Sequence, residues 1–138
     1  FWTMGESVHT EGWPACGEID IMEFFGKSNN RINQAAHFPE DKAHASQAPS
    51  NDFNIKPKDG SPIEGVFHVY SAVWDENRIE WSIDGHKTFE FLRPQGASWC
   101  FDNPQYIILN LALGSWGGEV PKNVKEVKFF IDYIQVYQ

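Results

Sequence analysis

Ile79-Glu80-Trp81-Ser82-Ile83-Asp84-Gly85 decides the architecture of this chain. Ile79, Trp81 and Ile83 alternate with Glu80, Ser82 and Asp84, the two-residue repeat of a strand with one face in a core. Asp84-Gly85 is a tight-hairpin signal, because both residues tolerate positive φ, and 87–92 reads as the returning strand. Upstream, Phe67, Val69 and Val73 alternate with His68, Tyr70 and Trp74, and Asp75-Glu76-Asn77 makes the intervening turn. Working outward, 17–25, 31–38, 106–113 and 125–137 read as further strands, 106–113 apolar on both faces as if buried on both sides. The polar stretch 40–65, ending in Pro57, Gly60, Pro62 and Gly65, reads as a long loop. There is no repeat, low-complexity tract or linker. The pattern predicts one all-β domain over residues 1–138, an antiparallel sandwich or barrel.

Composition narrows the partners. The 138 residues carry 19 acidic against 11 basic side chains, a net charge of -8, and the basic residues are scattered. This argues against a nucleic-acid backbone or an anionic membrane surface, both of which need clustered Lys and Arg. No apolar run approaches the roughly 20 residues of a membrane span. Six Trp in an aromatic fraction of 15% serve either a core or flat platforms for the C–H faces of sugars. Cys16 and Cys100 form no CxxC or zinc pattern, and their spacing leaves a disulfide between them open.

The chemistry sits in Gly17-Glu18-Ile19-Asp20-Ile21-Met22-Glu23-Phe24, where three carboxylates interrupt an apolar strand. Glu18 and Asp20 share a face, opposite Ile19 and Ile21. Glu23 has the wrong parity and would point into the core, unless one extra residue, Ile21 or Met22, is absorbed in a bulge. The sequence thus predicts a bulged strand presenting Glu18, Asp20 and Glu23 together. Crowded carboxylates raise one another's pKa at a cost in stability, so a function is the usual reason to keep them. Two carboxylates flanking a glycosidic bond are the requirement of retaining glycoside hydrolysis. A solvated acidic strand, or a metal site of these carboxylates with His37, are the alternatives that spacing leaves, the latter lacking a second well-spaced His.

The stretch 12–23, Gly-Trp-Pro-Ala-Cys-Gly-Glu-Ile-Asp-Ile-Met-Glu, resembles glycoside hydrolase family 16, the laminarinase and lichenase group. Phe1-Trp2-Thr3-Met4-Gly5, the 67–85 hairpin region, Leu109-Asn110-Leu111-Ala112 and the closing Ile131-Asp132-Tyr133 segment are similar to that family as well, so the likeness covers nearly the whole chain. It implies a β-jelly roll of the concanavalin A-like kind with an open cleft, Glu18 as nucleophile, Glu23 as acid/base and Asp20 between them. The residue Met22 resembles the laminarinase-type motif rather than the shorter one. Trp13, His37, Asn110 and Trp116 are the implied substrate-binding residues, with His37 and Trp116 equally readable as structural. Trp74 and Trp81 fit a core. Asp132 matches a position that supplies a structural calcium ligand, the other ligands being mostly backbone carbonyls. The implied protein is a secreted, endo-acting hydrolase of β-1,3- or mixed β-1,3-1,4-glucans, needing no catalytic cofactor. A glucan-binding module, a transglycosylase, or an agar or carrageenan hydrolase are the alternatives on the same fold. Only Lys27, Arg31 and Lys42 lie near the motif, which favours a neutral glucan over a polyanion. Catalytic domains of this family are longer, so the resemblance also implies an incomplete sandwich, to be completed by another segment or a second chain.

Overall fold

The computed structural model describes residues 1–25, 31–39, 46–47, 50–54, 65–96 and 98–138, with the side chains of 31, 46–47, 50–54 and 116 left aside. Nine strands form two antiparallel sheets among the described residues. β1 (Trp2–Gly5), β2 (Glu18–Phe24), β3 (Arg31–Pro39), β4 (Ser46–Gln47), β5 (Ser50–Asn54) and β9 (Gln105–Ile108) make the larger sheet, in the order β4-β3-β2-β1-β9 with β5 also on β3. β6 (Tyr70–Trp74), β7 (Arg78–Ile83) and β8 (His86–Leu92) make the smaller one. A single helical turn, α1 (Val8–Glu11), lies between β1 and β2.

The hairpin forms as its sequence requires. Ile79, Trp81 and Ile83 are buried and alternate with half-buried neighbours. Asp84 and Gly85 take φ of 51° and 74°, the left-handed pair of a two-residue hairpin loop. Asp75 Oδ1 accepts the backbone N–H of Asn77 (2.7 Å) and of Arg78 (3.0 Å), which closes the preceding turn. On the outer face Arg78 and Lys87 each bridge Glu80 and Glu90, an exposed cross-strand lattice of alternating charge.

The two sheets face each other. Ile19, Ile21, Ala36 and Phe38 of the larger sheet pack with Ile79 and Trp81 of the smaller, and Trp99, Cys100 and Phe101 close one end. Phe38 meets Phe91 at a ring-centroid distance of 4.9 Å across the interface. The antiparallel sandwich is therefore as expected. Trp81 is fully buried within it, whereas Trp74 is partly exposed. Cys16 and Cys100 are both buried free thiols, and burial pushes Cys100 up to about 12, well out of the reactive range.

Three strand expectations need correction. The stretch read as a loop contains β4 and β5, and β5 pairs with β3 through five residues. Its sequence, Ser-Asn-Asp-Phe-Asn, lacks the apolar alternation by which a strand is read, while its backbone pairs with β3 in register. The rest of 40–64 lies outside the described residues. The strand read over 106–113 spans only Gln105–Ile108, and Tyr106, Ile107, Leu111 and Leu113 are exposed rather than buried on both faces. No strand is formed over 125–137, where Val127, Phe130, Tyr133, Val136 and Tyr137 are exposed, Tyr137 by 83%. Alternation supplies a face, but a strand also needs a hydrogen-bonded neighbour, and none of the described residues pairs with this segment.

Candidate active site

The site is built on β2 and its two neighbours. β1 and β3 both pair with β2 antiparallel, placing Trp2 and Ala35 on either side of Asp20, and Met4 and His37 on either side of Glu18. The register against β3 then slips between Asp20 and Glu23: Asp20 faces Ala35 and Glu23 faces Asn33, so two residues of β2 oppose Gln34 alone. On the other edge the N–H groups of Ile21 and Met22 both donate to the carbonyl oxygen of Phe1, at 3.0 and 2.9 Å. Two consecutive amides on one acceptor mark a bulge. Asn33, Ala35 and His37 share a face of regular β3, so Glu23, Asp20 and Glu18 opposite them share a face too. The bulge restores the parity that the sequence demanded.

Hydrogen bonds orient the three carboxylates. Glu18 Oε2 accepts the indole N–H of Trp13 at 2.6 Å. Asp20, only 2% exposed, is 3.0 Å from His37 Nε2, and its backbone oxygen accepts the indole N–H of Trp81 at 2.9 Å. Glu23 Oε2 accepts the side-chain amide of Asn33 at 2.5 Å. Burial, the Asp20 charge and a hydrogen bond with Asp20 push Glu18 up to about 7. Burial and the same Asp20 charge also raise Glu23, against the Asn33 hydrogen bond. The hydrogen bond to Asp20 raises His37 above its ordinary value, outweighing desolvation.

The implied binding residues separate. Trp13 is half exposed (52%), with its ring 5.6 Å from that of His37, so one indole combines an open face with a bond to Glu18. His37 belongs to the carboxylate cluster through its contact with Asp20, and its side chain is 21% exposed. Asn110 Oδ1 accepts the indole N–H of Trp2 at 2.8 Å, and Trp2 stands opposite Asp20, which brings Asn110 to the same side of the sheet. Trp116 lies in a single turn of 3₁₀-helix, Ser115–Gly117, and its side chain is outside the description. Lys27 and Lys42 are outside the described residues, as is the side chain of Arg31.

Metal donors also converge here. Ligand atoms of Glu18, Asp20 and His37 lie within 4.8 Å of one another, although Nε2 of His37 is already engaged by Asp20 and Glu18 by Trp13. Asp132 is exposed and belongs to no cluster of three acidic, His or Cys side chains among the described residues.

The family model described as glycosyl hydrolases family 16 matches residues 1–135. The chain belongs to this family. It is similar to a glucan endo-1,3-beta-glucosidase A1 of Niallia circulans, 31% identical over 91% of the chain and 20% of the relative. The clotting factor G alpha subunit of Tachypleus tridentatus is 31% identical over the whole chain and again 20% of that protein. The solved endo-beta-1,3-glucanase of Pyrococcus furiosus superposes with a TM-score of 0.75 at 35% identity, covering 88% of this chain and 47% of that one. The chain thus spans about a fifth of these curated relatives and about half of the solved glucanase structure. Over the matched part the jelly-roll fold is shared.

Asn33 and Gln34 were not singled out from the sequence. Both carried a signal. Asn33 is two and four positions before Ala35 and His37, on the face of the carboxylates. Gln34 interrupts the row Ile32, Ala36, Phe38 that forms the core face of β3.

Proposed function

We propose that the protein carrying this chain is an endo-acting, retaining hydrolase of β-1,3- or mixed β-1,3-1,4-glucans. The observation that carries the reading is the bulge that sets Glu18, Asp20 and Glu23 on one face beside the half-exposed ring of Trp13. A glucosyl unit stacks on Trp13. Glu18 attacks the anomeric carbon as Glu23 delivers a proton to the departing oxygen, leaving a glycosyl ester on Glu18. Glu23, now ionised, takes a proton from water, which attacks the same carbon and frees Glu18 with the β configuration retained. Asp20 contributes through charge: Glu18 is held where its ionised form is disfavoured, so esterification relieves repulsion and desolvation together. His37 holds Asp20 in place. A structural calcium at Asp132 and a role for Trp116 in stacking belong to the same reading.

A neutral polymer suits a chain with net charge -8, and a polymer too large to enter a cell implies an extracellular site of action. The names of the relatives support a glucan substrate, one of them being an endo-1,3-beta-glucosidase. Product release should be measured from laminarin, lichenan, agarose and carrageenan, with the anomeric configuration followed by proton NMR. Short β-configured oligosaccharides from laminarin or lichenan are expected. Inverted products, or none from any glucan, would sink the proposal. Retention on insoluble glucan without cleavage identifies a binding module, and products longer than the substrate identify a transglycosylase.

A further inference from the structure

We propose that Gln34 and Thr88 are positioning residues that fix the bulge from inside the sandwich, and so set the placement of Glu23 relative to Glu18. The inference rests on the glucanase reading for its rate measurements, but its structural arm does not. Gln34 is the residue that β3 places opposite the bulge, and it is fully buried. Its Nε2 donates to the carbonyl oxygen of Ile21, one of the two bulge residues, at 3.1 Å. Its Oε1 lies 2.6 Å from Thr88 Oγ1 on β8 of the opposite sheet. Thr88 Oγ1 is also 3.1 Å from the carbonyl oxygen of Trp81, whose own indole N–H donates to the carbonyl oxygen of Asp20. Two successive carbonyls of β2, those of Asp20 and Ile21, are therefore taken by side chains from outside the strand, and Thr88 Oγ1 lies within hydrogen-bond distance of the Gln34 side chain and of the Trp81 backbone carbonyl.

The chemistry explains why a polar side chain stands in an apolar row. A bulge breaks the local ladder, and a buried carbonyl left without a donor is costly. Gln34 satisfies the Ile21 carbonyl and consumes its own amide oxygen on Thr88, so neither end of the amide is orphaned. Loss of the bracket leaves the bulge free to relax. Because the slip lies between Asp20 and Glu23, relaxation moves Glu23 while Glu18 and Asp20 stay in register with β1 and β3. Displacements of about 1 Å in such a pair cost up to 100-fold in rate.

The test uses Gln34→Met and Thr88→Val, which keep volume, with Thr88→Ser as the conservative control, in the full-length protein. The Asn33 side-chain amide reports Glu23 without substrate. In ¹⁵N spectra its resonances should shift in Gln34→Met and Thr88→Val, and the carboxyl titration of Glu23 should move with them, while Thr88→Ser overlays wild type. On laminarin, kcat should fall about 10- to 100-fold with KM within about twofold, and the pH–rate profile should shift on its basic limb. Unchanged Asn33 and Glu23 signals in a folded Gln34→Met protein overturn the inference whatever the substrate. If Gln34→Met fails to fold, Thr88→Val carries the same comparison. Wild-type inactivity on every glucan with shifted Asn33 signals sinks the glucanase reading and leaves the bracket standing.

Discussion

Glu18→Gln is expected to remove turnover of laminarin by about 10⁴-fold while glucan binding persists, because the amide keeps the shape of the side chain but cannot attack. The same substitution should stabilise the fold above neutral pH. The Glu18 carboxyl rises from 4.5 to about 7 in the folded chain, so the folded state binds protons more tightly than the unfolded one. Stability from this group is complete below about 4.5 and is lost as pH rises through about 7. His37 acts in the same sense, since its raised value makes its contribution fade as pH rises. The displacement of Glu18 corresponds to roughly 3 kcal/mol, which partial exposure trims to about 1–2 kcal/mol. Urea denaturation at pH 4 and pH 8 reads the effect: wild type and variant should coincide at the lower pH and separate at the higher, the variant being firmer. A variant with wild-type rates, or one weaker at pH 8, contradicts the assignment.

Glu23→Ala is the second large effect, and leaving-group chemistry tells it apart from Glu18→Gln. Loss of a positioned acid costs about 10²–10⁴-fold on a sugar leaving group, which needs its proton. A dinitrophenyl glycoside leaves without one, so Glu18 should still form the glycosyl ester rapidly, and a burst of dinitrophenolate should precede slow turnover. The second step then lacks its base. Azide, which needs none, should displace the Glu18 carboxylate and restore turnover with a β-glycosyl azide as product. An α-azide points to direct displacement without the ester, and absence of both burst and rescue removes Glu23 from its assigned place.

The sequence showed more of the site than of the sheets. The parity of Glu18, Asp20 and Glu23 demanded an extra residue, and the twin amides of Ile21 and Met22 on the Phe1 carbonyl supply it. Parity is a local property, so it survives in the linear chain. The hairpin was equally legible because Asp84-Gly85 encodes its own φ values. The partners of β5 and of 125–137 are long-range facts. The polar β5 pairs through backbone groups that composition does not reveal, and the apolar 125–137 has the pattern of a strand without a neighbour among the described residues. Gln34 was half legible: its polarity in an apolar row is a local signal, but its partner Thr88 lies 54 positions away.

The bond from the Trp81 indole to the Asp20 carbonyl crosses from one sheet to the other. On the glucanase reading it ties the placement of Asp20 to the spacing of the two sheets. Any loosening of the packing between the sheets bears on this bond, and through it on the backbone at Asp20. Catalysis should accordingly fade several degrees below the calorimetric melting point, and recover on cooling, in a fold that still scans as intact.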